Sequence, residues 1–158
     1  MKNAFTMIEL IFVIVIIGIL AAVAIPKLAA TRDDAQISII IANARTALGD
    51  MGSFYSAQGY SGWENNASVS TVSNVTFTHT SACTPLSIAD QNTTKISPNV
   101  FTLCDNDANP CVTFTTSIGG NLNITTDNTG TICSEVSNDM LIKAIAKNYQ
   151  LGGKTVRR

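Results

Sequence analysis

Charge is the first thing this chain has little of. Only 13% of its 158 residues are Asp, Glu, Lys or Arg, and they sum to a net charge of −1. Surfaces that bind polyanions carry a marked basic excess, so the composition argues against a nucleic-acid partner. Lys154, Arg157 and Arg158 form a small basic tail, which reads as a solvated terminus rather than a DNA or lipid site. Histidine is equally scarce: His79 is the only one, set in a polar TFTHTS stretch without a nucleophile motif. No Gly-rich phosphate loop follows a strand pattern. The four cysteines include no pair at C-x2-C spacing, which removes the usual zinc arrangement. Together these absences point away from an enzyme and away from any cofactor.

What the chain does have is one long hydrophobic run. Residues 5–25, FTMIELIFVIVIIGILAAVAI, carry only Thr6 and Glu9 as polar side chains. At about 1.5 Å per residue a helix of this length reaches roughly 30 Å, the thickness of a bilayer's hydrocarbon core. The anomaly is Glu9, because a carboxylate inside such a span costs on the order of 3 kcal/mol. A group that expensive needs a partner. If the leader Met1-Lys2-Asn3-Ala4 were removed, the new ammonium of Phe5 would lie one helical turn from the acid, or beside the same acid on a neighbouring copy. Glu9 is then an assembly device.

A short leader, a cut before Phe5, Thr6 at the second mature position, Glu9 at the fifth, the apolar stretch and Pro26 at the twenty-second resemble the type IV prepilin N-terminus shared by pilins and type II secretion pseudopilins. Met7-Ile8-Glu9-Leu10 fits the same pattern, and the resemblance covers about residues 1–57. Ala4 stands where that family normally has Gly. The resemblance implies removal of residues 1–4 by a prepilin peptidase/N-methyltransferase, methylation of Phe5, and assembly of a homo-oligomeric helical filament. It also implies related minor pilins and an inner-membrane assembly platform as partners. The location it implies is the bacterial inner membrane as a single-pass precursor with its C-terminal domain in the periplasm, then a periplasmic or cell-surface filament. A minor pseudopilin of a secretion or DNA-uptake machine is the alternative within the family.

A rival of another class is a secreted binding module. Lys2, the apolar residues 10–20 and Ala22-Val23-Ala24 also spell a signal peptide cut after Ala24. Three features oppose it: Glu9 adjoins the apolar core, Pro26 follows the proposed cut by two residues, and the helical pattern continues beyond it. A plain membrane anchor would leave Glu9 unexplained.

Beyond Pro26 polarity changes while the helical period persists. Ile37, Ile41, Ala44, Leu48 and Met51 form an apolar stripe among Arg32, Asp33, Asp34, Gln36, Asn43, Arg45 and Asp50. The pattern predicts one long helix over about residues 5–55, kinked at Pro26 and weakened at Gly18, with Gly59 and Gly62 marking its end. Tyr60 and Trp63 are expected to anchor the following polar connection. Residues 75–79, 96–103, 112–118 and 122–126 read as strands, with Gly119-Gly120-Asn121 as a hairpin turn and residues 127–130 as a turn before a short strand near Ile132. Asn138 is expected to cap a helix over about 139–149, with Leu141, Ile142, Ile145 and Tyr149 on one face and Gly152-Gly153 ending it. The fold class is therefore α+β, pilin-like: a long N-terminal helix on a small antiparallel sheet of three to five strands, plus a short C-terminal helix. The segments are a leader at 1–4, a transmembrane or filament-core helix at 5–25, the amphipathic half of that helix at 26–57 and an exported domain at 58–158.

Cys83, Cys104, Cys111 and Cys133 lie beyond the apolar run and read as two disulfides. The LCDNDANPCV stretch resembles two strand ends around a polar loop, which favours Cys104 with Cys111 and leaves Cys83 with Cys133. Within that loop Asp105, Asp107 and Asn109 have the D-x-D-x-N spacing that opens a calcium loop. Pro110 replaces the turn glycine, however, and Thr116 stands where a bidentate Glu belongs, so a solvated turn is the favoured reading. N-x-[ST] sequons occur at Asn66, Asn74, Asn92 and Asn123. Asn66 and Asn92 carry an acid two residues earlier, which resembles the extended acceptor of bacterial oligosaccharyltransferases.

Overall fold

A computed structural model describes residues 6–65, 67–79 and 83–152 of the chain. The chain divides into two compact units, residues 1–35 and 36–158. In the first unit every described residue from Met7 onward is helical, Pro26 included. This is the start of α1, which runs Met7–Asn65 and is long and apolar enough near its N-terminus to cross a membrane.

In the second unit α1 buries Ile40, Ala44, Ala47, Met51 and Tyr55, with Ile37, Ile41 and Leu48 partly covered beside them. The covered line is thus turned slightly from the expected stripe, and two alanines sit where a larger side chain would hold the core apart. Gly59 interrupts the helix at φ 64°, ψ −166°, a conformation that costs a residue without a Cβ little. Helical residues resume behind it and continue to Asn65, so Gly62 lies inside this run and does not end the helix. The resumption carries Trp63 into the core, 0% exposed, against Phe54 and Tyr55. Tyr60 is exposed, and only Trp63 of the two expected anchors serves as one.

Five strands follow in sequence order as an antiparallel meander: β1 Thr78–His79, β2 Asn99–Cys104, β3 Pro110–Ser117, β4 Asn121–Thr126 and β5 Asn148–Gln150. Pairing aligns Phe101 with Phe114 and Phe114 with Ile124, and places Leu122 beside Thr116. Paired residues share a sheet face, and this face is buried in one core with the helix residues above. Phe77 meets Phe101 and Phe114 at ring separations of 5.3 and 5.8 Å. Each such ring taken out of water contributes about 1.5–3 kcal/mol. The β3–β4 hairpin turns through Gly119 and Gly120, both at positive φ, as their sequence demands. Gly120 is fixed for a second reason: a Cβ there would lie 2.2 Å from Cε2 of Tyr55.

Several elements differ from the sequence expectation. Strand β1 keeps only two residues of 75–79, although Val75 and Phe77 are buried beside it. Two short helices, α2 Val69–Val72 and α3 Ile88–Thr93, occupy stretches expected to be irregular. Near Ile132 the chain forms α4, Thr131–Asn138, rather than a strand, because Ile132, Cys133 and Val136 fall on one helical side and are all buried. The next helix, α5 Met140–Ile145, is capped by Asp139, not Asn138: its carboxylate accepts from the backbone N–H of Leu141 at 2.7 Å and of Ile142 at 3.3 Å. It stops well before Tyr149. The chain then satisfies the open edge of β4 as strand β5, with Tyr149 beside Leu122.

The cysteine pairing also differs. Cys83 bonds to Cys104, and Cys111 bonds to Cys133, with Cα–Cα distances of 5.8 and 4.6 Å. The reason is a register shift between Leu103 and Cys104, which sets Pro110 rather than Cys111 opposite Cys104. Cys111 is then covered by α4, whose Cys133 reaches it.

Candidate functional site

At the head of α1 the sequence Thr6-Met7-Ile8-Glu9 closes a reciprocal cap. The Glu9 Oε2 accepts from the Thr6 backbone N–H at 2.8 Å and from its hydroxyl at 2.7 Å, while Glu9 N–H donates to Thr6 Oγ1 at 3.4 Å. This T-x-x-E arrangement is a capping box, which satisfies donors that a helix start leaves orphaned. Sequence reasoning about Glu9 considered only an ammonium partner, although the spacing itself carried this signal. Among the described residues Glu9 Oε1 has no hydrogen bond. The carboxylate therefore holds Oε2 on its own helix. Ala4 and Phe5, the expected processing residues, lie outside the described residues.

Below the cap the helix is uniformly apolar on all sides and uncovered. Phe12, Ile19 and Ile25 are 67, 64 and 67% exposed, and every residue from Thr6 to Leu20 is exposed. A helix apolar all round is not amphipathic; it is built to be surrounded, by lipid or by other helices. Pro26 removes one backbone donor without ending the helix. Thr31 Oγ1 donates to the Leu28 carbonyl at 2.9 Å one turn later, part of the change to polar side chains.

The loop once considered for calcium is occupied by its own backbone. The buried Asp105 Oδ1 accepts from the N–H of Asp107 at 3.0 Å and of Asn109 at 2.8 Å, and Oδ2 accepts from Asn109 Nδ2 at 2.9 Å. Asp107 points to solvent. The carboxylate of Asp105 thus serves as an Asx turn rather than converging with Asp107 and Asn109 on a cation. The sulfurs of Cys111 and Cys133 lie close to Asp105 but are bonded to each other, which takes them out of metal ligation. Gly130 closes the back of the loop, since a Cβ there would lie 2.9 Å from Asn109 Nδ2.

The remaining candidates are dispersed. His79 stands in β1 opposite Phe101. Asn92 is exposed in the last turn of α3, and Asn66 lies outside the described residues, as do Lys154, Arg157 and Arg158. In the second unit, hydrogen bonds from the Thr129 hydroxyl and N–H hold the Asp127 carboxyl low, and burial raises the Tyr149 hydroxyl. Nothing in this set assembles a nucleophile, a base and a stabilising donor around one point.

No curated protein and no solved structure matches the chain. A family model does: the prokaryotic N-terminal methylation motif, over residues 1–25. That span takes in Ala4, Phe5, Thr6 and Glu9, and families built on it are structural rather than catalytic. Its apolar helix near the N-terminus suits a membrane-anchored precursor, and the motif implies handling by a prepilin peptidase and pilus machinery. The chain carries the signature of the type IV pilins and pseudopilins.

Proposed function

We propose that this protein is the structural subunit of a type IV pilus or type II secretion-type filament, cut after Ala4, N-methylated at Phe5 and assembled through the first half of α1. The observation that carries the reading is the methylation motif set directly against an uncovered apolar helix whose single acid, Glu9, has one oxygen without a hydrogen bond among the described residues. In a filament the apolar helices replace lipid with one another. The ammonium of Phe5 from an adjacent copy then meets Glu9 Oε1 in a dry core, where leaving either charge alone costs several kcal/mol. The capping box holds the carboxylate in place for that encounter, so the pair sets register between subunits. Calcium at Asp105, Asp107 and Asn109 has no part in this reading, and glycans at Asn66 or Asn92 are not needed by it.

Mass spectrometry of the N-terminus of protein recovered from cells tests the reading. A start at N-methylated Phe5 is the expected result. A start at Ile25 would make the chain a secreted module instead, and a working form that retains residues 1–4 would also overturn the proposal. Filament length under electron microscopy then separates a long surface pilus from a short periplasmic pseudopilus.

A further inference from the structure

The sheet face turned away from the core carries an unusual lattice. Pairing places Thr115, Asn123 and Asn148 in one cross-strand row and Ser117, Asn121 and Gln150 in the next. These six residues, from three strands, together with Tyr149 line a single open cavity of about 440 Å3. None of the six is charged, and the first row runs on into Val100 of β2, opposite Thr115. Among the described residues only Asn121 of the six uses its amide, donating to the Ile118 carbonyl at 3.1 Å. The other five make no side-chain hydrogen bond within the described residues.

We propose that this cavity is a binding site for a neutral saccharide. Each carboxamide offers two donors and an acceptor side by side, and each hydroxyl offers one donor and two lone pairs. That is the complement of vicinal sugar hydroxyls, which donate and accept in pairs. Rows spaced by two residues along a strand and by one strand across it lie about 7 and about 5 Å apart, close enough for side chains of both rows to engage one ligand. None of the residues that line the cavity carries a charge to pair with an acidic ligand. The volume falls within the range of small-molecule sites.

The test uses the full chain, oxidised, in phospholipid nanodiscs free of sugar detergents. The probe is an array of immobilised neutral hexose and N-acetylhexosamine oligosaccharides with sialylated counterparts. The expected result is retention of one or more neutral glycans, weakened by about tenfold or more in Asn123→Ala/Asn148→Ala, since lost hydrogen bonds of about 1.4 kcal/mol together are a factor of ten. Asn92→Ala, which removes an exposed amide from α3, retains wild-type binding. Circular dichroism and the intact-disulfide mass establish that the double variant folds, and Gln150→Leu, at the solvent-exposed edge strand, provides an independent second variant. No retention by the wild type, equal retention by the folded variants, or preference for sialylated glycans overturns the proposal. So does concentration-dependent self-association lost in the same variants without glycan binding, which would make the face a contact between copies.

Discussion

The two units of this chain solve the problem of apolar surface in opposite ways. In residues 36–152 the largest hydrophobics form an interior, although Tyr60 and Met140 stay exposed: Trp63, Phe77, Phe101 and Phe114 are at most 2% exposed and share one core. In residues 6–35 they are all outside, with no core to enter. The same side-chain chemistry stabilises a fold in the first case and, in the second, stores affinity for surroundings the isolated chain does not supply. Under the proposed function, stability and assembly lie in separate stretches, and substitutions are expected to sort accordingly.

The largest separation is expected at Glu9. Glu9→Ala leaves the urea midpoint of the 36–152 unit unchanged, yet strands the Phe5 ammonium at a cost of about 3–5 kcal/mol in an assembled core. Filament yield by shearing and electron microscopy should fall accordingly; a normal yield would show that the acid has no assembly role. Phe114→Ala is the mirror case. It should lower unfolding free energy by about 3–5 kcal/mol in urea titration, whereas Ile14→Ala on the uncovered helix should leave that value within about 0.5 kcal/mol.

Smaller effects test how the folded unit is held. Replacing Cys111 and Cys133 together by Ser opens a loop of separation 22, and a loss of about 2–4 kcal/mol is expected. Non-reducing peptide mapping of the parent should recover Cys111 linked to Cys133, not to Cys104. Gly120→Ala forces a Cβ against the Tyr55 ring at a positive φ, and a loss of about 2 kcal/mol is expected from urea midpoints.

The smallest effect is one of pH. Asp127 is held below its ordinary value, so its contribution is present above the unfolded carboxylate range. It fades as pH drops through the lowered folded value, because the unfolded chain binds the proton first. Asp127→Asn should flatten only the acid limb of the stability profile, slightly, since the group is exposed to solvent.

Much of this organisation was legible before any coordinates. The all-round apolarity of residues 5–25 and the stripe from Ile37 to Met51 are periodic signals, and Gly119-Gly120 is a turn with a mechanism; each led to the element observed. Errors arose where tertiary context decided. Cys104 and Cys111 look like natural partners along the chain, but a one-residue register shift that no local pattern announces sets Pro110 between them. Asn148 and Tyr149 extend a helical pattern on paper and, with Gln150, become a strand because β4 offers unpaired backbone groups. At the assembly end, Glu9 was recognisable as exceptional, and Thr6-x-x-Glu9 as a capping box was equally readable but was passed over for the ammonium. The six-residue polar lattice was invisible, because residues up to 35 positions apart enter it only through the β5 pairing.

The strand order itself has a consequence for biogenesis. Each strand hydrogen-bonds only to its neighbours in sequence, and the two covalent links span just 21 and 22 residues. A chain that emerges gradually from a ribosome or a translocation pore can therefore zip its hairpins together in the order they appear, without holding an early strand open for a late one.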